Sequence, residues 1–441
     1  MNTTIHNNQL RGGFNMKHLG LVALIITVFF SSTVCAYTLV EENPVTADGI
    51  MLSIKHYENP GAQPVILQHG VVQNSNCWDL PVAGHSFAIY LADLGYDVWV
   101  PSYRGHGQDG FVSEGEPGND WTIDKFVVYD IPAIVDYVID YTGKKPLWVG
   151  HSMGGMTVYG YLQGAEYQYV VVDNDWDWSC FCYRDVYDWR IGTNSTLRTE
   201  RNSNKLAGAI TVNSPARMKW KHDVSIANFW YYDYYDYNLL VQTFSELDAV
   251  RAALKAMDPV PLQEIVDFVL GDIRSLPYVG NTLADLLEWT FGNVGDSFVC
   301  SQFWNPDNMT VDLVDAVIDH TLDNTSSNVL LQFMQSANAK NFQEFDYDDP
   351  DRSPYVYSEH YGDITLPIMV VSSEKDKMAC NDVVYADGFL QIGSNDKTYH
   401  DFANFGHDDV CLGNNASTVV FPELENWLAL HSPSSDTAGM K

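Results

Sequence analysis

Residues 146–155 read Pro-Leu-Trp-Val-Gly-His-Ser-Met-Gly-Gly. Leu147, Trp148 and Val149 make a short apolar run of the kind that forms a strand buried on both faces. The run stops at Gly150, and Ser152 sits between Gly150 and Gly154 with small residues and helix formers following. This is G-x-S-x-G in the setting it requires, strand then sharp turn then helix. So tight a turn presses neighbouring backbone together and strains the residue at its apex, which is why glycines flank it. The arrangement lifts Ser152 Oγ out of the sheet. It also sets the backbone N–H of Met153 at a helix N-terminus, where it faces negative charge developing beside the serine.

Outward from this stretch, apolar runs bounded by turn residues recur at 50–54, 65–67, 98–100, 209–212, 368–371 and 398–402. Segments of helical period lie between them, such as 87–94 and 126–141, the latter with Val127, Ile131, Ile134, Val135, Val138 and Ile139 on one face. Alternating strands and helices predict a mostly parallel sheet covered on both faces. The alternation lapses after 212 and resumes at Leu366. The expected organisation is therefore a leader over 1–36, core over 37–216 and 361–431, an inserted, largely helical cap over 217–360, and a flexible tail over 432–441. Helical patterns in the cap fall at 239–257, 261–270 and 281–291. A second insertion, 166–204, is rich in Trp, Tyr and Asp, carries Cys180 and Cys182, and has no clear hydrophobic period.

A serine is a weak nucleophile until a base takes its proton and a third group orients that base. In folds of this type the chain order is serine, acid, histidine. Leu366–Val371 is a late strand, and Ser372-Ser373-Glu374-Lys375-Asp376 is the turn after it, making Asp376 the candidate acid with Glu374 and Asp382 as rivals. Asp363 precedes the strand, at the wrong end of the sheet. The last strand, 397–402, is followed by Phe405-Gly406-His407, so His407 is the candidate base; His400 lies within that strand and His360 is out of order. Val65-Ile66-Leu67-Gln68-His69-Gly70-Val71 supplies a strand ending in His-Gly. The N–H of Val71 is then the expected partner of Met153 N–H in an oxyanion hole, with His69 and Gly70 shaping the turn. The loops bearing Asp376 and His407 must converge over Ser152, which predicts a Cys380–Cys411 disulfide.

The chain of 441 residues holds 57 acidic and 24 basic residues, a formal net charge of −33. No basic face is available for a phosphate backbone, so nucleic acid is excluded as a partner, and anionic lipid is disfavoured. Gly105-His106-Gly107-Gln108-Asp109-Gly110 matches G-x-G-x-x-G, but Gly115, Pro117 and Gly118 follow where a nucleotide site needs a helix. No H-E-x-x-H, Walker loop or paired C-x-x-C occurs, so neither metal nor cofactor is expected.

Lys17 and His18 precede an apolar run, 19–30, and small residues end at Ala36, the pattern of a cleaved export signal whose start is Met1 or Met16. The run is too short for a stable membrane span, and a lipid anchor on Cys35 is the alternative. Of seven cysteines, Cys77, Cys180, Cys182, Cys300, Cys380 and Cys411 remain after Ala36, an even number that permits disulfides. Sequons stand at Asn194, Asn308, Asn324 and Asn415.

With these residues placed, the chain resembles an α/β-hydrolase of the acid lipase family, the gastric and lysosomal group. Leu67-Gln68-His69-Gly70, 91–99, Ser102-Tyr103-Arg104-Gly105, Tyr129-Asp130-Ile131-Pro132-Ala133, 341–347 and Pro354-Tyr355 follow family segments in order over roughly 45–430. The resemblance implies an α/β-hydrolase fold, a Ser152–Asp376–His407 triad, oxyanion donors Val71 and Met153, and a lipid or other apolar ester as substrate. Met153-Gly154-Gly155 replaces the family's usual Gln-Gly after the serine and is more like monoacylglycerol lipases and general esterases. The cap aromatics Phe229-Trp230-Tyr231-Tyr232, Tyr234-Tyr235, Trp289, Phe303 and Trp304 are candidates for an acyl pocket. The same scaffold also supports peptidases, thioesterases and non-catalytic binding proteins.

Overall fold

Apolar runs separated by glycine and proline turns assemble into one eight-stranded sheet in the computed structural model, which describes residues 37–219, 222–226, 229–233, 252, 254–256, 259–261, 303–345 and 353–433. Its strands are β1 (Thr38–Glu42), β2 (Ser53–Glu58), β3 (Pro64–Gln68), β4 (Asp97–Ser102), β5 (Leu147–His151), β6 (Gly208–Val212), β7 (Ile368–Ser373) and β8 (Lys397–Phe402). The spatial order is β1-β2-β4-β3-β5-β6-β7-β8. β2 runs antiparallel to β1 and β4, and every pairing from β4 to β8 is parallel. The run at 50–54 belongs only in part to a strand, since β2 begins at Ser53. Ile50 and Leu52 are buried in the bend that leads into it.

Strand alternation sorts side chains into two cores, one on each face. Ile66, Trp99, Trp148, Ile368 and Val370 pack beneath helices α2 (Ile131–Thr142) and α3 (Met153–Leu162). Val65, Leu67, Leu147, Val149, Ile210 and Val371 face α1 (Phe87–Asp93) and α6 (Phe421–His431). Both faces are covered, which is why the central strands read as nearly unbroken apolar runs. Arg104 is fully buried and neutralised by Asp130 (2.8 Å from Nε) and Asp48 (2.6 Å from Nη1), accounting for two motif residues without a catalytic role. The G-x-G-x-x-G decoy forms a two-residue hairpin, Gly107–Gln108 against Phe111–Val112, with no helix starting at its turn.

Within 217–360, α4 (Val311–Thr321) and α5 (Ser327–Ala339) are helices, whereas His222–Ile226 and Phe229–Asp233 form a hairpin where a largely helical cap was expected. The helical patterns at 261–270 and 281–291, most of 239–257, and Tyr234, Tyr235 and Trp289 lie outside the described residues. So do the leader, Cys35 and the tail beyond 433. The 166–204 insertion is a long antiparallel hairpin, Ala165–Asp177 against Cys182–Thr193, followed by a helical turn at Ser195–Glu200. A bulge at Val172 breaks its register, which blurred the period-two pattern in the sequence. Among the described residues, no helix is long and apolar enough to cross a membrane.

The expected Cys380–Cys411 disulfide is not formed. Both cysteines are buried and neither is in a disulfide, and the bridge among described residues joins Cys180 to Cys182 at the hairpin tip. Convergence of two loops brings their backbones together without setting the short Cβ separation a disulfide needs. Cys411 instead faces the thiol of Cys77. The sequon at Asn308 is also buried, its amide donating to Asp409 at 2.7 Å, so the folded chain has no room for a glycan there.

Candidate active site

Ser152 occupies the apex between β5 and α3 with φ 50° and ψ −117°, a left-handed conformation that costs a non-glycine residue of order 1–3 kcal/mol. Neighbouring glycines make the apex possible. A Cβ on Gly154 would stand 2.6 Å from the Gln68 carbonyl oxygen and 2.8 Å from that of His69. One on Gly150 would collide with the Gly154 carbonyl, and one on Gly155 with Ser214 Oγ. The elbow is thus wedged between the end of β3 and the end of β6, and Ser152 N–H donates to the Val212 carbonyl at 2.9 Å.

The structure brings Ser152, His407 and Asp376 into one hydrogen-bonded line. His407 Nε2 lies 2.9 Å from Ser152 Oγ, and His407 Nδ1 lies 2.9 Å from Asp376 Oδ2. A carboxylate only accepts, so Nδ1 carries the ring proton and Nε2 is left to accept from the serine hydroxyl. All three side chains are buried. Asp376 Oδ1 accepts from the N–H groups of Met378 (2.7 Å) and Ala379 (2.8 Å), which fixes the carboxylate's rotation. Glu374 and Asp382 are exposed, and Asp363 pairs with Arg198. His400 and His360 are likewise outside the line, near Glu423 and stacked on Tyr355.

Gly70 packs against the serine, since a Cβ there would meet Ser152 Cβ at 3.1 Å. Val71 follows and lines the cavity above Ser152. Met153 opens α3, where first-turn N–H groups have no acceptor within the helix. His69 acts as a clamp. Its Nδ1–H donates to the Gly70 carbonyl at 2.8 Å and Nε2 accepts from Tyr103 N–H at 3.1 Å, while burial holds its pKa well below the usual imidazole value.

Behind this line lies a group that sequence reasoning missed. His151 Nε2 donates to the His407 carbonyl (2.9 Å), and Asn213 Nδ2 donates to the carbonyls of Gly406 (2.8 Å) and His407 (3.0 Å). Gln73 donates to Asp408 at 3.2 Å across 335 residues of chain and also accepts from Gly70 N–H. Burial opposes the charged form of His151, but the adjacent Cys77 thiol and Asp408 outweigh it and push its pKa up to about 9. Burial likewise opposes the Cys77 thiolate, and hydrogen bonding from Cys411 with the charge of His151 draws its pKa down. Only adjacency to Ser152 and His407 marked His151 and Asp408 in the sequence. Nothing marked Gln73 or Asn213.

The line opens into a cavity of about 240 Å³. Apart from the polar residues at its floor, its walls are apolar: Val71, Phe303, Trp304, Val317, Leu322 and Met378. Phe303 and Trp304 are thus the two expected pocket aromatics found there, and Val317 and Thr321 bring α4 over the serine.

Residues 63–165 match the family described as alpha/beta hydrolase fold. That span covers β3, β4, the elbow and α3, the parts that carry the strand order and Ser152. The chain has the α/β-hydrolase fold. It is similar to gastric triacylglycerol lipase of Homo sapiens, 32% identical over 164 residues, which is 34% of this chain and 41% of that one. It is also similar to triacylglycerol lipase 2 of Arabidopsis thaliana, 32% identical over 144 residues, 30% of this chain and 34% of that one. The matched part of this α/β hydrolase therefore spans less than half the length of these relatives. Among solved structures, the monoacylglycerol lipase of Paleococcus ferrophilus aligns at 15% identity with a TM-score of 0.47, over 86% of this chain and 99% of that chain.

Proposed function

We propose that this α/β hydrolase is an exported serine ester hydrolase that cleaves carboxylic esters of lipids through an acyl-enzyme. The observation that carries the reading is the pair of 2.9 Å hydrogen bonds from Ser152 through His407 to Asp376, opening into an apolar cavity. In this mechanism His407 Nε2 takes the serine proton as Oγ attacks the ester carbonyl, then returns it to the leaving alcohol. Asp376 holds the Nδ1–H tautomer and stabilises the imidazolium. The N–H groups of Met153 and Val71 face the carbonyl oxygen as it becomes an oxyanion, each worth a hundredfold or more in rate by order of magnitude. Water then repeats the sequence on the acyl-enzyme.

The apolar wall favours an acyl chain over a peptide, because a peptide would leave its amides without partners there. The likeness to triacylglycerol lipases supports the same choice. Residues 217–360 act as the cap over this pocket, and 1–36 as the export signal. Hydrolysis of p-nitrophenyl esters from acetate to palmitate tests the reading, with Ser152→Ala alongside. The expected result is activity that rises with acyl length and vanishes in the variant. Activity confined to peptides or thioesters would replace the proposal, and Ser152→Ala activity equal to wild type would remove the serine mechanism.

A further inference from the structure

The hairpin Ala165–Thr193 is unlike the rest of the molecule. Its pairing places Tyr167, Tyr169, Val171, Asn174 and Trp176 on one face together with Tyr183, Asp185, Tyr187, Trp189 and Ile191. At the base of this face Tyr167 and Ile191 pack into the protein, with Tyr167 against Tyr129 and Ile191 N–H donating to Glu344. Beyond the base, among the described residues, the aromatic rings stack on one another. Tyr169 meets Tyr187 at 5.4 Å and Trp189 at 5.3 Å, and Trp176 meets Tyr183 at 5.0 Å. Trp178 and Phe181 stand at the turn, 76% and 72% exposed, and Tyr183 and Trp189 exceed 60%.

The opposite face carries Asp173, Asp175, Asp177 and Asp188 with Arg184 and Arg190. Arg184 is paired with Asp177 at 2.9 Å, and Arg190 lies 3.9 Å from Glu344. The hairpin is therefore amphipathic, with aromatics along one side and at the tip and neutralised or acidic groups on the other. Two groups of exposed rings share this face, separated by the hydrogen-bonded Asn174–Asp185 pair, and exposed apolar patches rimmed by polar residues are the kind of surface that docks a partner.

We propose that this hairpin docks the protein onto the surface of an uncharged or zwitterionic lipid aggregate, with Trp178 and Phe181 entering first. Trp and Tyr are the side chains that settle where hydrocarbon meets water, because each joins an apolar ring to a polar atom. Charge selects the occupant. With a net charge of −33 and acidic residues flanking the aromatics, an anionic surface is repelled, and so is a second copy of the same chain. A neutral lipid surface carries no charge to oppose it. The choice of lipid rests in part on the lipid-ester reading above, so binding and turnover are measured separately.

The test is flotation of the full chain, made inactive by Ser152→Ala, with phosphatidylcholine vesicles and with vesicles containing phosphatidylglycerol. The tip variant Trp178→Ser/Phe181→Ser leaves Cys180, Cys182 and the site untouched. At about tenfold per ring, it should lower the partition coefficient about 100-fold while leaving hydrolysis of a soluble short-chain p-nitrophenyl ester by the Ser152 protein unchanged. Phosphatidylglycerol should weaken binding at low salt, with the difference shrinking as salt screens it. Asp173→Asn/Asp175→Asn on the opposite face should bind phosphatidylcholine at least as well as the parent. Equal flotation of tip variant and parent, or no flotation of either, overturns the proposal. So does a tip variant whose change is a dimer becoming a monomer in sedimentation. Vesicle binding lost with the tip rings but no ester turnover by wild type would leave this proposal standing and remove the activity reading instead.

Discussion

Replacing Asp376 with asparagine should cost about 10⁴ in kcat, on the order of 5.5 kcal/mol of transition-state stabilisation. The structure explains why so small a change has so large an effect. Asp376 Oδ1 sits under two backbone N–H groups, from Met378 at 2.7 Å and Ala379 at 2.8 Å, and Oδ2 faces His407 Nδ1 at 2.9 Å. Asparagine must keep its carbonyl oxygen beneath the two N–H donors, since two donors cannot face an NH₂ group in a buried site. Its NH₂ then points at His407 Nδ1, which has to become an acceptor. The ring proton moves to Nε2, 2.9 Å from Ser152 Oγ, and the imidazole can no longer take the serine proton. The fold keeps its shape, so urea unfolding should shift by less than about 1 kcal/mol while turnover collapses. The assay is kcat on p-nitrophenyl butyrate beside the denaturation curve, with Glu374→Gln and Asp382→Asn as controls. A loss under tenfold for Asp376→Asn, or a greater loss in either control, refutes the reasoning.

Three further outcomes follow from the geometry. Gly154→Ala places a methyl 2.6 Å from the Gln68 carbonyl, so β3 and α3 must part; stability should fall by about 2 kcal/mol and kcat with it, and an unchanged urea midpoint would contradict the wedge. Ile318→Trp on α4 fills the cavity, so the preference for long over short acyl esters should drop about tenfold or more; an unaltered chain-length profile would place the acyl chain elsewhere. Burial, then the charge of Asp124, pushes Glu344 up to about 7, and burial pushes Asp124 up to about 6. Carboxyls that hold protons more tightly when folded stabilise the fold at low pH and lose that contribution as pH rises through the folded value. Tm should therefore be higher near pH 5 than near pH 8, and Glu344→Gln should lower Tm throughout but narrow that difference; an undiminished difference would exclude Glu344 as its source.

Local chemistry determined most of the scaffold and the three residues on its central line. A nucleophile elbow needs a strand, glycines and a helix within ten residues, and late strands followed by short loops leave few positions for an acid and a base. The positions of Ser152, Asp376 and His407 were readable because each follows a strand: β5 and β7 read as apolar runs buried on both faces, and β8, a part-exposed edge strand, is the last strand before the chain's final helix. The same logic missed what depends on distance between loops. Cys411 faces Cys77 rather than Cys380, and Gln73 meets Asp408 across 335 residues, because side-chain direction in converging loops is set by packing and not by sequence order. The hairpin at 165–193 escaped for another reason. Its aromatics alternate on one exposed face, and the bulge at Val172 shifts that alternation by one residue, so only the folded pairing shows which rings stand together. Sequence determined where Ser152, Asp376 and His407 sit along the chain. Tertiary structure decided what surrounds them, because the partners of a buried polar group or an exposed ring are chosen by packing between segments far apart in sequence.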